Sequence, residues 1–382
     1  MKEKKLRVLQ LGKFYPIKGG VEKVMYDLTT GFAERFSHKV ICDMMCADGE
    51  KGSRTIHLGG NARLICCRTL WKVAATMISP SMIHTLKKEC RNYDIIHVHH
   101  PDPMACIALF LSGYKGKVVL HWHSDIQKQK VLLKFYQPLQ EWLLKRADLI
   151  LGTSPVYLAE SPCLQSVQGK TRCLPIGVEP MRPQAERVAA IREKYPCKKI
   201  VFSLGRLVAY KGYEYLIEAA RFLDDDYVLL IGGTGPLKAK LDEKIKMLGL
   251  EGKVVLLGRV SDEDLPAYYG ACELFCLSSV QKTEAFGIVQ IEAMSCGKPI
   301  VATTIPQSGV AWVNAHGVSG LNVVPENAKE LALSIQAILN DQVTYNGYSQ
   351  RAAQRYHDIF TRDKMIESCV DIYERICDGK KY

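Results

Sequence analysis

Two glutamates eight positions apart frame a glycine in the stretch Thr283–Met294, TEAFGIVQIEAM. The run before it, Glu273–Ser279, is apolar and ends in serines, as a buried strand would. The run after it keeps apolar residues at helical spacing until Cys296-Gly297-Lys298-Pro299. Glu284 then lies on a loop just ahead of a helix N-terminus, and Glu292 projects from that helix with its side chain tilted back toward the same end. A helix start offers unpaired N–H groups and a positive dipole end to a phosphate. Carboxylates beside it can accept hydrogen bonds from sugar hydroxyls, so the pattern suits a nucleotide-sugar. An ordinary acidic first turn accounts tolerably for Glu284, but poorly for a glutamate well inside the helix.

Arg206 and Lys211 stand five residues apart in Gly205–Gly212, GRLVAYKG, directly after an apolar run. At the carboxyl end of a strand both can reach a diphosphate, whose charge grows as a sugar departs; the plain alternative is a cationic connecting loop. His121 and His123 alternate at strand spacing and share a face, with structural histidines as the alternative. Gly19-Gly20 follows the first strand and would permit positive φ and close approach of backbone to ligand. His97, His99 and His100 suggest a metal, but no carboxylate or cysteine cluster completes a site at recognisable spacing, so none is expected. Asp224-Asp225-Asp226 precedes a strand, which puts it at the amino edge of a sheet, and it reads as a turn.

The elements that must position these residues alternate. Strands are expected at Leu6–Gly12, Lys39–Cys42, Asp94–His99, Lys117–His123 and Ala147–Leu151, with a helix near Val21–Phe36. The second half repeats the plan with strands at Ile200–Gly205, Tyr227–Gly233, Val254–Leu257 and Ile300–Thr303. Its helices are expected near Gly212–Leu223, Leu237–Leu248 and Lys329–Asn340. The fold class is α/β, two doubly wound parallel sheets joined near Leu174–Pro180, facing a cleft at the carboxyl ends of their strands.

A chain of 382 residues is comfortable as two domains. No apolar run approaches bilayer length, and Met1–Lys5 leads into a strand rather than a secretory signal. Fourteen scattered cysteines without a CxxC pair indicate free thiols in a reducing compartment, so a cytoplasmic location is expected. Residues 1–180 hold 26 Lys and Arg against 15 Asp and Glu, while residues 181–382 hold 25 of each. The whole excess of +11 therefore sits in the first half, which points to an anionic acceptor or membrane surface, or merely to solubilising lysines. Arg68–Ile78 and Met82–Lys88 could form an interfacial helix, with Trp71 beside Lys72, or could pack their apolar face on the sheet.

Taken in order, KGGVEK (Lys18–Lys23), GRLVAYKG, LLIGGTGP (Leu229–Pro236) and EAFGIVQIE (Glu284–Glu292) resemble glycosyltransferase family 4, of GT-B architecture, over nearly the whole chain. The segment His121–Lys130 is similar to members that build bacterial O-antigen, capsule or exopolysaccharide, often as mannosyltransferases. The resemblance implies an acceptor-binding domain over 1–178 and a nucleotide-sugar-binding domain over 179–359, both Rossmann-like. A last helix of about 360–382 is expected to return to the first. It implies that Glu292 holds the ribose, Glu284 the donor sugar, and the backbone of Phe286, Gly287 and Ile288 the sugar or phosphate. The backbone near Val260 would read the base. Gly19 and Gly20 would cover the donor phosphate, His123 (or His121, one register away) would meet the donor sugar, and Lys128 would be a phosphate partner.

The expected activity is retaining hexosyl transfer, with Arg206, Lys211, Glu284 and His123 as the catalytic set. The nucleoside-diphosphate sugar is a substrate, and no cofactor or metal is expected. The best candidate donor is GDP-mannose, and the acceptor a polyprenyl-diphosphate-linked saccharide at the inner membrane's cytoplasmic face; no nucleic acid is involved. A UDP-sugar-dependent transferase, a non-hydrolysing sugar-nucleotide epimerase and a non-catalytic sugar-nucleotide binder stay open. A dinucleotide dehydrogenase would need GxGxxG after the first strand, which Gly12–Gly20 lacks.

Overall fold

The computed structural model describes residues 5–50, 52–73, 76–126 and 130–379, and of 130–133 the backbone alone. The chain forms two compact units. One runs to Gly177 and resumes at Arg362; the other is Val178–Thr361.

The first unit is built on strands β1 (Leu6–Tyr15), β2 (Val40–Asp48), β3 (Arg54–His57), β4 (Arg63–Arg68), β5 (Trp71–Val73), β6 (Thr76–Ile78), β7 (Ile95–His100), β8 (Lys117–Trp122), β9 (Leu149–Gly152) and β10 (Thr171–Cys173). Eight of them make one sheet in the order β10-β9-β8-β7-β1-β2-β4-β3, parallel except that β3 runs antiparallel to β4. The central strands β7 and β8 are buried almost from end to end, so their histidines are buried with their apolar residues. Helix Gly20–Arg35 follows β1, as its spacing of apolar residues predicts. The last helix, Arg362–Cys377, lies against it. Arg362 fastens that contact by donating to the Asp27 carbonyl at 3.1 Å, Thr30 Oγ1 at 2.6 Å and Glu34 Oε2 at 2.8 Å. Gly31 allows the helices to meet, since a Cβ there would overlap Ile366.

One expectation fails here. Trp71–Val73 and Thr76–Ile78 form an antiparallel hairpin, with Trp71 opposite Ile78, and not the interfacial helix that Arg68–Ile78 suggested. Thr69, Val73, Thr76 and Ile78 are β-branched and cost χ1 freedom in a helix, whereas an extended pair accommodates them. The helix begins only at Pro80 and runs to Glu89. Ala74 and Ala75 lie outside the described residues.

The second unit contains β11 (Lys199–Leu204), β12 (Tyr227–Gly232), β13 (Val254–Gly258), β14 (Leu274–Leu277), β15 (Ile300–Thr303) and β16 (Gly320–Val323). They form one parallel sheet, β13-β12-β11-β14-β15-β16. Asp224–Asp226 is the turn that enters β12, with Asp226 paired to Lys199 at 2.9 Å. At the other edge the loops after β11 and β12 meet, Leu207 N–H donating to the Thr234 carbonyl at 2.9 Å, and glycine allows the approach. Gly233 has φ +137° and leaves no room for a side chain against the Gly205 carbonyl. Gly233→Ala should therefore combine a strained backbone with a clash and lower the stability of this unit by about 2 kcal/mol or more. Urea denaturation followed by circular dichroism would check this, and an unchanged midpoint would refute the close contact.

Candidate functional site

In the second unit the carboxyl ends of β11 and β14 bring together residues that the sequence separates by more than seventy positions. Lys211 ends a short 3-10 turn after β11, and its Nζ lies 2.5 Å from Glu284 Oε2, the two side chains being 10% and 12% exposed. Ser279 Oγ donates to the same carboxylate oxygen at 3.0 Å, and Ser308 Oγ donates to the Glu284 carbonyl at 2.5 Å. The loop carrying Lys211 sits against β14: Ser278 Oγ donates to the Lys211 carbonyl, and Val280 N–H to that of Tyr210. Gly212, in the left-handed region at φ +64°, permits that approach, for a Cβ there would overlap the Ser278 carbonyl. Arg206, exposed, makes no side-chain hydrogen bond or ion pair among the described residues.

Gly287, at φ +76°, caps helix Ile288–Ser295 without a side-chain cap bond, so the helix start presents bare N–H groups. Phe286 is buried, packing edge-on against Phe360 at 6.0 Å, while Ile288 is partly exposed. Glu292 is the fifth residue of this helix and accepts from Tyr269 Oη at 2.7 Å. Burial, with Glu292 nearby, pushes the Tyr269 phenol well above its usual range, so the hydroxyl keeps the proton it donates to Glu292. Val260 follows β13 next to Gly232, and the neighbouring Gly258 carbonyl accepts from Gly233 N–H at 2.7 Å. Ser279, Ser308 and Tyr269 were not anticipated, although the serines closing the strand before Glu284 were a visible signal.

The first unit holds the histidines. His97 and His99 on β7, with His121 on β8 and His123 just past its end, share one face of the sheet and are buried. His123 Nε2 is 2.9 Å from His99 Nδ1, and His99 Nε2 is 2.7 Å from Gln10 Oε1. Gln10 Nε2 donates to Tyr373 Oη at 2.9 Å, and that hydroxyl lies 2.6 Å from His97 Nδ1. His123 Nδ1 and both His121 nitrogens have no partner among the described residues. The loop after His123 is pinned by Asp125, which accepts from Trp122 Nε1 at 2.9 Å and Ser161 Oγ at 2.8 Å.

Nitrogens of His97, His99 and His121 lie within 4.8 Å of one another, a grouping that chain spacing conceals. Both His99 nitrogens are engaged, however, and the rings of His97 lie 19° and 18° from those of His99 and His121. The rings of His99 and His121 are tilted by 36°, and His97 Nε2 and both His121 nitrogens have no hydrogen-bond partner among the described residues.

Two expectations change in this unit. Neither Gly19 nor Gly20 has positive φ; Gly19 is extended at φ −148°, and the left-handed residues nearby are Gly12 and Lys13. Gly19 instead leaves space for Glu22, whose Oε2 would lie 2.6 Å from a Cβ. Lys128 lies outside the described residues.

Comparison with known proteins agrees with this architecture. Residues 185–355 match the family described as Glycosyl transferases group 1, and residues 18–182 match Glycosyltransferase Family 4. The crystal structure of HepE from Anabaena in complex with UDP superposes with a TM-score of 0.78 at 19% identity, covering 97% of this chain and all of that one. These define a glycosyltransferase of GT-B fold. The chain is 32% identical to O-antigen chain mannosyltransferase C of Escherichia coli over 98% of its length and 100% of the relative's. It is 30% identical to the D-rhamnosyltransferase WbpZ of Pseudomonas aeruginosa, over 93% and 92%. It belongs to glycosyltransferase family 4.

Burial holds the histidine array uncharged: His97, His99 and His123 fall well below the usual 6.5, and His100 and His121 to about 3. Unfolded, these rings would titrate near 6.5. Their contribution is thus fully present above that pH and is lost as pH falls from 6.5 toward 3, at about 1.4 kcal/mol per histidine per pH unit. Urea denaturation at about pH 7 and about pH 5.5 should show the first unit losing more stability than the second. Equal losses would mean the rings are charged in the fold.

Proposed function

We propose that this protein is a retaining transferase that moves a hexose from a nucleoside-diphosphate donor, GDP-mannose foremost, to a lipid-linked saccharide during O-antigen assembly. Full-length similarity to an O-antigen chain mannosyltransferase supports the sugar and the pathway. The observation that carries the chemistry is the buried Lys211–Glu284 pair beside the uncapped start of helix Ile288–Ser295. It supplies a cation, an acceptor for sugar hydroxyls and free N–H groups together.

As the bond between the sugar's anomeric carbon and the diphosphate oxygen breaks, its electron pair passes to the diphosphate. Lys211 keeps two of its three N–H donors for that charge, and Arg206 and the helix N–H groups add theirs without a metal. The acceptor hydroxyl attacks from the face the diphosphate leaves, and its proton goes to a departing phosphate oxygen. Glu292 would hold the ribose while Tyr269 fixes its carboxylate. His123, neutral, would accept from a hydroxyl of the transferred sugar.

Incubation with GDP-mannose, UDP-glucose and UDP-N-acetylglucosamine, with a polyprenyl-diphosphate saccharide as acceptor, tests the reading. Transfer from GDP-mannose is expected, and Arg206→Ala or Glu292→Ala should reduce kcat/KM by about a hundredfold or more. Full activity in either variant would sink the site assignment, and turnover of donor alone to an epimer would sink the reaction class.

Contact with an anionic bilayer follows from the same reading. Leu70, Trp71 and Val73 are 49%, 57% and 43% exposed on the β5–β6 hairpin, with Arg68 and Lys72 beside them in a basic unit. No described helix is long and apolar enough to cross a membrane, so the contact would be peripheral. Lys72→Ala should weaken co-sedimentation with phosphatidylglycerol vesicles about fivefold, the effect of roughly 1 kcal/mol per basic residue. Unchanged sedimentation would remove the hairpin from this role.

A further inference from the structure

We propose that Gln10 and Tyr373 are positioning residues for sugar transfer: through His99 they hold His123 with Nε2 protonated and Nδ1 bare, as a fixed acceptor for a sugar hydroxyl. The inference rests on the reading of His123 as the residue that meets the transferred sugar. It adds what decides which nitrogen of that ring carries the proton.

A neutral imidazole donates from one nitrogen and accepts at the other, so a chain of such groups must run in one direction. The rings of His99 and His123 lie 15° from coplanar with centroids 5.2 Å apart, the arrangement of an in-plane N–H···N bond rather than a face-to-face stack. Two directions satisfy the His123–His99–Gln10 links equally, and the Gln10 amide chooses between them. With Nε2 toward Tyr373, both of its N–H groups find acceptors, Tyr373 Oη at 2.9 Å and Cys42 Sγ at 3.6 Å. Its Oε1 then accepts from His99 Nε2. The reversed amide would spend one N–H on His99 and leave the other without an acceptor in a fully buried place.

The remaining assignments follow. His99 Nε2 is protonated and its Nδ1 bare; that nitrogen accepts from His123 Nε2–H; His123 Nδ1 is left as an acceptor. Tyr373 Oη, which accepts from Gln10, lies 2.6 Å from His97 Nδ1 and can donate to it. His123 Nδ1, on a residue 6% exposed and just past the carboxyl end of β8, has no partner among the described residues. A buried acceptor in that condition is completed by a ligand hydroxyl or a water.

Nitrogen-15 NMR of the full chain, labelled at histidine, reads the tautomer directly, with the His123 signals assigned by their loss in His123→Asn. A protonated Nε2 and bare Nδ1 are expected. Tyr373→Phe removes one buried oxygen and with it the acceptor that orients Gln10. It should give His123 as a mixture of tautomers and lower kcat about tenfold, with donor KM within about twofold, on the donor that the wild-type protein turns over. Gln10→Met should do the same, and if it fails to fold, Tyr373→Phe still decides. A protonated Nδ1 in the wild type, or a single unchanged tautomer in Tyr373→Phe, overturns the proposal. Full transfer by His123→Ala would instead sink the sugar-contact reading and leave the tautomer result standing.

Discussion

A lysine ammonium and a glutamate carboxylate, each about nine-tenths buried, cannot stay charged alone at the end of a β-sheet. Lys211 and Glu284 do so because each is the other's counter-ion, 2.5 Å apart, with Ser279 adding a third group. Several residues at the second unit's carboxyl edge support this contact. Gly212 lets the Lys211 turn approach the end of β14, and Gly205 lets the lysine side chain pass over backbone: a Cβ there would stand 3.0 Å from its Cε. Ser308 holds the loop from which Glu284 reaches back. To the diphosphate of the proposed reaction the pair would offer a cation already desolvated and oriented, with little attraction lost in reorganisation.

The first unit meets the same difficulty without charge. Four imidazoles lie buried on one sheet face, and any of them as a cation would cost several kcal/mol of desolvation. They remain neutral, and hydrogen bonding becomes a matter of direction. Gln10 is the pivot, because its carboxamide donates to Tyr373 on one side and accepts from His99 on the other without titrating. An ion pair in one unit fixes position by attraction; a neutral chain in the other fixes a proton by exclusion of alternatives. Glycosyl transfer has use for both, since charge develops on the leaving group while the sugar hydroxyls need only orientation.

Much of this could be read from the residues in order. The strand–loop–helix unit around Glu284 and Glu292 declares itself through local spacing, and the parallel strands through largely apolar runs. Trp71–Ile78 misleads because a six-to-eight-residue apolar stretch has too few periods to separate helix from hairpin, and β-branching decides it. The Gly19-Gly20 pair misleads differently: glycine there makes room for Glu22 rather than reversing the backbone. What spacing cannot disclose is partnership at long range. Gln10 is visible as a polar residue inside a buried strand, but its partner Tyr373 lies 363 positions away. Lys211 and Glu284 could each be placed at a strand end, while their contact depended on β11 and β14 being neighbours in a sheet order that local pattern does not contain.

The last helix gives that long range a physical meaning. The first unit is interrupted in sequence by all of the second, and Arg362–Cys377 must return to complete it. Arg362 anchors the return on helix Gly20–Arg35, and eleven residues later Tyr373 delivers the hydroxyl that orients Gln10. Three helical turns of rigid backbone therefore separate an anchoring guanidinium from the phenol that accepts from Gln10. A first unit ending at Gly177 would keep every histidine and lose the group that gives their chain of hydrogen bonds a direction. The histidine array is thus finished only when the last helix has returned, and a histidine near residue 120 is linked through His99 and Gln10 to a residue near the end of the sequence.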